Sequence, residues 1–248
     1  MEKEKECFCI QRMRKLIRGS RGKNSVGVCL NHLEKHLHSA DISRPERTEE
    51  NDSWQTVENI KKKISEAIQE HNSKSRRALR KDASVLAEFI FTYSPEAEEK
   101  IDPNEFEERI FKYLEKEFPS AKVLRVDYHA DESCEHWHIL ILPTTERGTL
   151  SAKEVFGGPE AFRKHQDHFA ECVADLGLRR GIAKEVRKQK GEKTHHEPLW
   201  RWKAKQVEQK EKELQELNEA ICKKKEQLEK DRAKEVEEIL SDIFDEER

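Results

Sequence analysis

The stretch Tyr128-His129-Ala130-Asp131-Glu132-Ser133-Cys134-Glu135-His136-Trp137-His138-Ile139-Leu140-Ile141-Leu142 decides the reading of this chain. The apolar run after His138 reads as a buried strand. Residues two apart on a strand point to the same face, so His136 and His138 aim their imidazoles at one point. Upstream, Val123-Leu124-Arg125-Val126-Asp127-Tyr128 reads as a second strand. A short turn from Asp131 to Glu135 then returns His129 beside the pair. Three neutral imidazoles with open positions are the pattern of a divalent-metal site that leaves room for a substrate. A lone His-x-His is more often packing, and a structural zinc would be closed by a fourth ligand, for which Cys134 is in place. The set of His129, His136 and His138, with acids in the connecting turn, favours the open metal site.

Outward from this pair the periodicity alternates between helix and strand. Val57, Ile60, Ile64 and Ile68 recur at helical spacing over residues 56–71. Residues 84–93 (SVLAEFIFTY) have the β-branched and aromatic content of a strand, ended by Ser94-Pro95. Phe106, Ile110, Phe111, Leu114 and Phe118 mark a second amphipathic helix over 104–118, opened by Asp102-Pro103. A third helix runs from 159 to about 176, where Gly177 stops it. No clear period emerges from residues 1–55. The order helix, strand, helix, strand, strand, helix predicts an α+β domain over 1–200, with a largely antiparallel central sheet flanked by helices.

Over residues 201–248 the character changes. Val207, Leu214, Ile221 and Leu228 step by seven, with Leu217 at a d position, while Lys210, Lys224 and Asp231 occupy other d positions. Val236, Ile239, Leu240 and Ile243 resume an apolar face in a shifted register. A long C-terminal helix with a weakened coiled-coil seam is expected, and through it a homodimer.

Composition agrees with such an extension. Charged residues make up 40% of the 248 and hydrophobic ones 34%, too polar for the whole chain to share one core. The net charge of -3 means that any nucleic-acid-binding surface must be local. The six cysteines lack the spacing of a disulfide framework and are expected as reduced thiols. No apolar run is long enough to cross a bilayer, and the N-terminus has no signal-peptide core, so a soluble cytoplasmic protein is expected.

Together these segments carry a resemblance. Residues 75–92 (SRRALRKDASVLAEFIFT), the run HADESCEHWHILILP and the later GTLSAKEVFG resemble, in order and spacing, the plasmid mobilisation and recombination proteins of the Mob/Pre group, the MobV relaxases. The resemblance covers roughly residues 55–185. Its most specific part is the family's His-x-Asp-Glu-x-x-Pro-His-x-His motif, kept here at His129, Asp131, Glu132, His136 and His138 with Glu135 in place of proline. It implies an HUH-type relaxase domain: a metal-dependent DNA strand transferase that nicks and rejoins one strand at a plasmid or mobile-element transfer origin through a covalent protein–DNA intermediate. His129, His136 and His138 would then hold Mn²⁺ or Mg²⁺ against a scissile phosphate. Glu132 would orient a ligand or water and Asp131 would support the turn.

The resemblance also implies a histidine nucleophile near the N-terminus within a His-Asn-x-Arg motif, which is not intact here. His32, with Lys35 three residues on, is the nearest match; alignment on Asn31 would put Leu30 at that position, and His36 and His38 are neighbours. Arg47 and Asn51 are the remnants of the family's next motif. Tyr113, in Tyr113-Leu114-Glu115-Lys116, resembles the nucleophile of rolling-circle replication initiators, although in those proteins the tyrosine follows the histidine motif. DNA contacts are expected from Lys74, Arg76, Arg77, Arg80 and Lys81, which can neutralise several phosphates. A second cluster comprises Arg179, Arg180, Lys184, Arg187, Lys188 and Lys190, followed by His195, His196, Trp200 and Trp202. The N-terminal cations, Arg12 among them, are a third. The eroded nucleophile motif leaves a second reading, a cleavage-impaired DNA-binding regulator that retains the fold.

Overall fold

The structure, a computed structural model, describes residues 6–18, 22–36, 42–182, 186 and 199–246, with side chains of the last segment over 207–232. The chain divides into two compact units, Met1–Ile182 and Ala183–Arg248.

The first unit is built on β1 (Phe8–Ile17), α1 (Val26–Glu34), β2 (Asp52–Trp54), α2 (Val57–Lys74), β3 (Ser84–Tyr93), α3 (Pro103–Glu117), β4 (Lys122–His129), β5 (His136–Leu142), α4 (Ala152–Phe156), α5 (Pro159–Cys172) and β6 (Arg179–Arg180). The strands form one sheet in the order β2-β4-β5-β3-β1-β6. Every pair is antiparallel except β1 with β6. The helix starts follow local chemistry. The Thr56 hydroxyl accepts from the Asn59 amide, and the Asp102 carboxylate accepts from the Asn104 amide ahead of a helix opened by Pro103. Gly177, at φ 76, ends the turn after α5 in the left-handed region that favours glycine.

Strand alternation divides the core in two. Ala87, Phe89, Phe91 and Tyr93 of β3 and Trp137, Ile139 and Ile141 of β5 face α3 and α5, packing with Phe106, Ile110, Tyr113 and Phe169. On the opposite face Leu16, Leu86, Leu140 and Leu142 pack under Leu30 and Leu33 of α1 and Ile60, Ile64 and Ile68 of α2. Further along that second face the leucines give way to polar side chains: Glu88 on β3, Asp127 and His129 on β4, and His138 on β5 are all buried. A buried leucine would stabilise each such position by about 1.5–3 kcal/mol. The fold gives that up at this end of the face, where the buried polar side chains cluster.

The N-terminal region, without a clear period in the sequence, supplies β1 and α1. β1 pairs along β3 from Cys9↔Tyr93 to Leu16↔Leu86. Its alternation is masked because on the polar face Arg12 and Arg14 stand where an apolar strand would carry valine or isoleucine.

In the second unit the helix α6 (Leu199–Glu246) includes the heptad positions. Val207, Leu214, Leu217, Ile221 and Leu228 are all exposed, between 44% and 70%. The side chains of Val236, Ile239, Leu240 and Ile243 lie outside the described ones. Among the described residues no helix is long and apolar enough to cross a membrane.

Candidate metal centre

The β4–β5 ladder sets His129 directly opposite His136 and Asp127 opposite His138. The three imidazoles converge, with ring centroids 5.0–5.1 Å apart and His129 Nδ1 3.3 Å from His136 Nε2. One nitrogen from each lies within 4.8 Å of the others, a separation one cation can bridge. Two of the rings are oriented from behind. His138 Nδ1 meets Glu88 Oε1 at 2.9 Å, and His136 Nδ1 lies 2.9 Å from the Cys134 carbonyl. Tying one ring nitrogen to an acceptor leaves the other with its lone pair free for a metal. Burial, with His138 and His136 as neighbours, pushes the His129 pKa far below the ordinary imidazole range, and burial lowers His136 to about 4. Both rings are therefore neutral near pH 7, the form that ligates. Glu88 is itself fully buried, and hydrogen bonds from His138 and Arg14 overcome its burial and lower it to about 2.

Cys134 does not close the set. Its thiol donates to the Tyr93 carbonyl at 3.0 Å, so a zinc site sealed by this cysteine is not built. Glu135, at the family's proline position, is turned away as well. Its carboxylate accepts from the Tyr93 hydroxyl and from Arg47.

The hairpin turn is held from outside by residues 43–51. The Ser43 and Arg44 amides donate to the Asp131 carbonyl, Thr48 Oγ1 donates to Asp131 Oδ2 at 3.0 Å, and the Ala130 amide donates to Asn51 Oδ1 at 2.7 Å. Arg44 Nε donates to the Glu132 carbonyl at 2.6 Å. Arg47 and Asn51 thus shape the turn that carries Asp131 and Glu132. The Glu132 carboxylate lies 3.6 Å from His36 Nδ1 and 4.0 Å from His136 Nε2.

His32, in the last turn of α1, is half-buried with its ring 6.1 Å from that of His138. Burial and the nearby His138 lower its pKa, leaving a neutral imidazole beside the site. His36 is buried and stacks on His129 at 3.7 Å. From the sequence, Asp131 is expected to support the turn and His36 only as a neighbour of the nucleophile position; no local pattern in the sequence assigns Thr48 to the site. Leu30 is a core residue, 1% exposed. His38 lies outside the described residues. Tyr113 is on the other side of the sheet, 2% exposed among Phe91, Phe118 and Phe169, with its hydroxyl accepting from Gln11 Nε2. It does not meet the histidines, and a tyrosine mechanism of the rolling-circle type has no support in this arrangement.

The basic segment is not adjacent to the histidines. Lys74 ends α2 and pairs with Glu70 at 2.5 Å; Arg76, Arg77, Arg80 and Lys81 are exposed in the link to β3. β3 begins at Ser84, whereas its Ile90 is the partner of His138, so the segment lies about 20 Å along the strand from the metal end. It borders a groove lined also by Lys15 and Lys153. Arg12 is closer. It pairs with Ile90, in the same cross-sheet row as His138, two strands and about 10 Å away, and it is exposed. In the second cluster Arg179 and Arg180 pair with Glu6 and Asp167; Lys184, Arg187, Lys188, Lys190, His195 and His196, with the side chains of Trp200 and Trp202, lie outside the described ones.

A family model described as plasmid recombination enzyme (Mob_Pre) matches residues 6–198. A plasmid recombination enzyme type 1 of Staphylococcus aureus is 32% identical over 220 residues, 86% of this chain and 52% of that protein. A plasmid recombination enzyme of Streptococcus agalactiae is 29% identical over 181 residues, 69% of this chain and 35% of that protein. The chain spans about half or less of the length of these relatives. Among solved structures, the Mn-bound MobM relaxase domain (MOBV; Mob_Pre) in complex with plasmid pMV158 oriT DNA has 24% identity and a TM-score of 0.61, covering 79% of this chain and 98% of that one. That likeness is one of fold.

Proposed function

The chain belongs to the plasmid recombination enzyme family, and from that membership we propose that it is a metal-dependent DNA relaxase. It nicks and rejoins one strand at a plasmid or mobile-element transfer origin through a covalent protein–DNA intermediate, in the cytoplasm where that DNA lies. The observation that carries this reading is the convergence of His129, His136 and His138 on one open end of the sheet, with two of their far nitrogens held by Glu88 and the Cys134 carbonyl.

These donors suit a divalent ion. Three imidazoles favour a transition ion such as Mn²⁺ over Mg²⁺, and the Glu132 carboxylate adds the oxygen that Mn²⁺ accepts readily. When bound, the ion supplies positive charge to the non-bridging oxygens of a scissile phosphate. The residues do the rest. The neutral His32 imidazole presents a lone pair from beside His138; its nitrogen forms an N–P bond as the P–O bond to one flanking sugar breaks. The N–H proton that the attacking imidazole gives up balances the one that the departing oxygen takes as it leaves as a hydroxyl. The reverse displacement, by a strand's terminal hydroxyl on the phosphoramidate, restores the phosphodiester and frees the histidine. No external energy source is required, because one phosphorus bond is exchanged for another.

Arg12 is placed to hold a phosphate one or two nucleotides from the scissile one. Lys74, Arg76, Arg77, Arg80 and Lys81 would contact DNA about 20 Å further along, so the bound nucleic acid must extend along the sheet. Residues 1–200 form the relaxase domain and 201–248 the helical extension, whose exposed heptad residues fit a homodimeric coiled coil.

The test is incubation of the purified chain with supercoiled plasmid carrying its own element's origin, with Mn²⁺ or with chelator. A protein-linked nick that requires the metal is expected. Origin binding with no adduct under any metal would favour the cleavage-impaired regulator, the reading to which the buried Leu30 at the alternative motif alignment lends support.

A further inference from the structure

A further imidazole reaches the His129 side of that centre from a different part of the chain. His36 follows α1 and is 6% exposed, its ring lying nearly parallel to that of His129, 3.7 Å away at 14°. Its Nε2 sits 2.9 Å from Asp131 Oδ1, and that carboxylate is itself fully buried and fixed by Thr48. An acid so placed accepts the Nε2 proton and leaves the lone pair on Nδ1. That Nδ1 is buried without a hydrogen-bond partner and lies 3.6 Å from Glu132 Oε1, too far for a hydrogen bond. A buried acceptor without a donor destabilises the fold, so a bound cation at this nitrogen would answer an otherwise unmet need. Together His36, His129 and Glu132 place one donor atom each within 4.8 Å of one another.

We propose that His36 is a metal ligand of this chain, joining Glu132 and His129 in a second donor set that overlaps the three-histidine set at His129. The Asp131–His36 pair then does for this ligand what Glu88 does for His138. The inference rests on the metal centre proposed above and extends it to a mixed imidazole and carboxylate shell. It also separates the roles of the N-terminal histidines. With Nε2 donating to Asp131 and Nδ1 engaged by the ion, His36 has no lone pair left for phosphorus, and nucleophilic attack falls to His32.

Binding of Mn²⁺ to the full chain without DNA, followed by calorimetry, with the visible spectrum of the Co²⁺ form, tests this. His36→Ala and His36→Gln should each weaken Mn²⁺ by about tenfold or more and alter the Co²⁺ bands, and Asp131→Asn should weaken it by about tenfold because the ring is no longer oriented by a carboxylate. The glutamine variant can still donate to Asp131, so it decides the matter if the alanine variant does not fold; thermal melts of the metal-free proteins identify that case. Affinity within about twofold of the parent and an unchanged Co²⁺ spectrum in the folded His36 variants would overturn the assignment. His138→Ala in parallel reads the three-histidine centre separately: its loss of binding alongside intact binding in the His36 variants sinks only the present inference.

Discussion

The β4–β5 hairpin and the segment from α1 to residue 51 meet at the same point and are held there by different forces. In the hairpin, backbone hydrogen bonds place His129 opposite His136, and Trp137, Ile139 and Ile141 lock the same strand into the aromatic core on the far face. The segment from α1 is anchored by leucines at one end, and it reaches the metal end through side chains and a few amides bound to the turn. The contrast assigns tasks. On the reading proposed above, the hairpin would supply the three-histidine donor set, and the N-terminal segment would add His36 to it and His32 to act on what the donors hold. Damage to the hairpin should remove metal, DNA cleavage and adduct together; loss of His32 should separate them.

The largest expected effect tests the hairpin. His138→Ala should weaken Mn²⁺ by about a hundredfold or more and abolish nicking, because it removes the imidazole that the buried Glu88 orients toward the other two. Stoichiometric Mn²⁺ retained by a variant with alanine at His129, His136 and His138 would break the comparison at its root.

A stability measurement sharpens it. Leu30 is fully buried under the second core, so Leu30→Ala should lower unfolding free energy by about 2–5 kcal/mol. Leu30→His should also destabilise, by leaving a polar ring without partners in an apolar site, and should not raise adduct yield. Denaturant titration with the nicking assay reads both. A histidine at position 30 that is tolerated and increases adduct would mean that α1 is placed differently.

The smallest effect concerns DNA. Alanine at Arg76, Arg77, Arg80 and Lys81 together should flatten the dependence of origin binding on salt by about one unit of slope for each phosphate left without its cation, with Mn²⁺ affinity unchanged. An unaltered slope would move the role to other cations, Arg12 first among them.

How much of this was readable in the sequence follows the same division. The hairpin was legible because its three convergent histidines lie within ten residues on strands whose register is set by local alternation; β3, α2 and α3 showed equally plain periods. β1 was not, because it lines the polar face and carries Arg12 and Arg14 where the pattern needs apolar residues. Glu88 was hidden for the same reason in reverse, a single acid inside an apolar strand whose partners, Arg14 and His138, are 74 and 50 residues away. His36 became a candidate ligand only when the chain was folded, since its orienting acid is 95 residues distant. The basic segment, adjacent in sequence to β3, proved to be at the far end of that strand from the histidines.

The most direct test of the central claim is the identity of the residue that carries DNA. Trypsin cuts after Lys23 and Lys35, so His32 falls in the peptide of residues 24–35 and is its sole histidine, while His36 and His38 fall in the next. The adduct formed on origin DNA with Mn²⁺, digested at mildly alkaline pH to preserve a phosphoramidate and analysed by mass spectrometry, should place the nucleotide on the 24–35 peptide, and His32→Ala should abolish it while Mn²⁺ binding persists. A nucleotide found on Tyr113, or on the peptide bearing His36 and His38, would contradict the account.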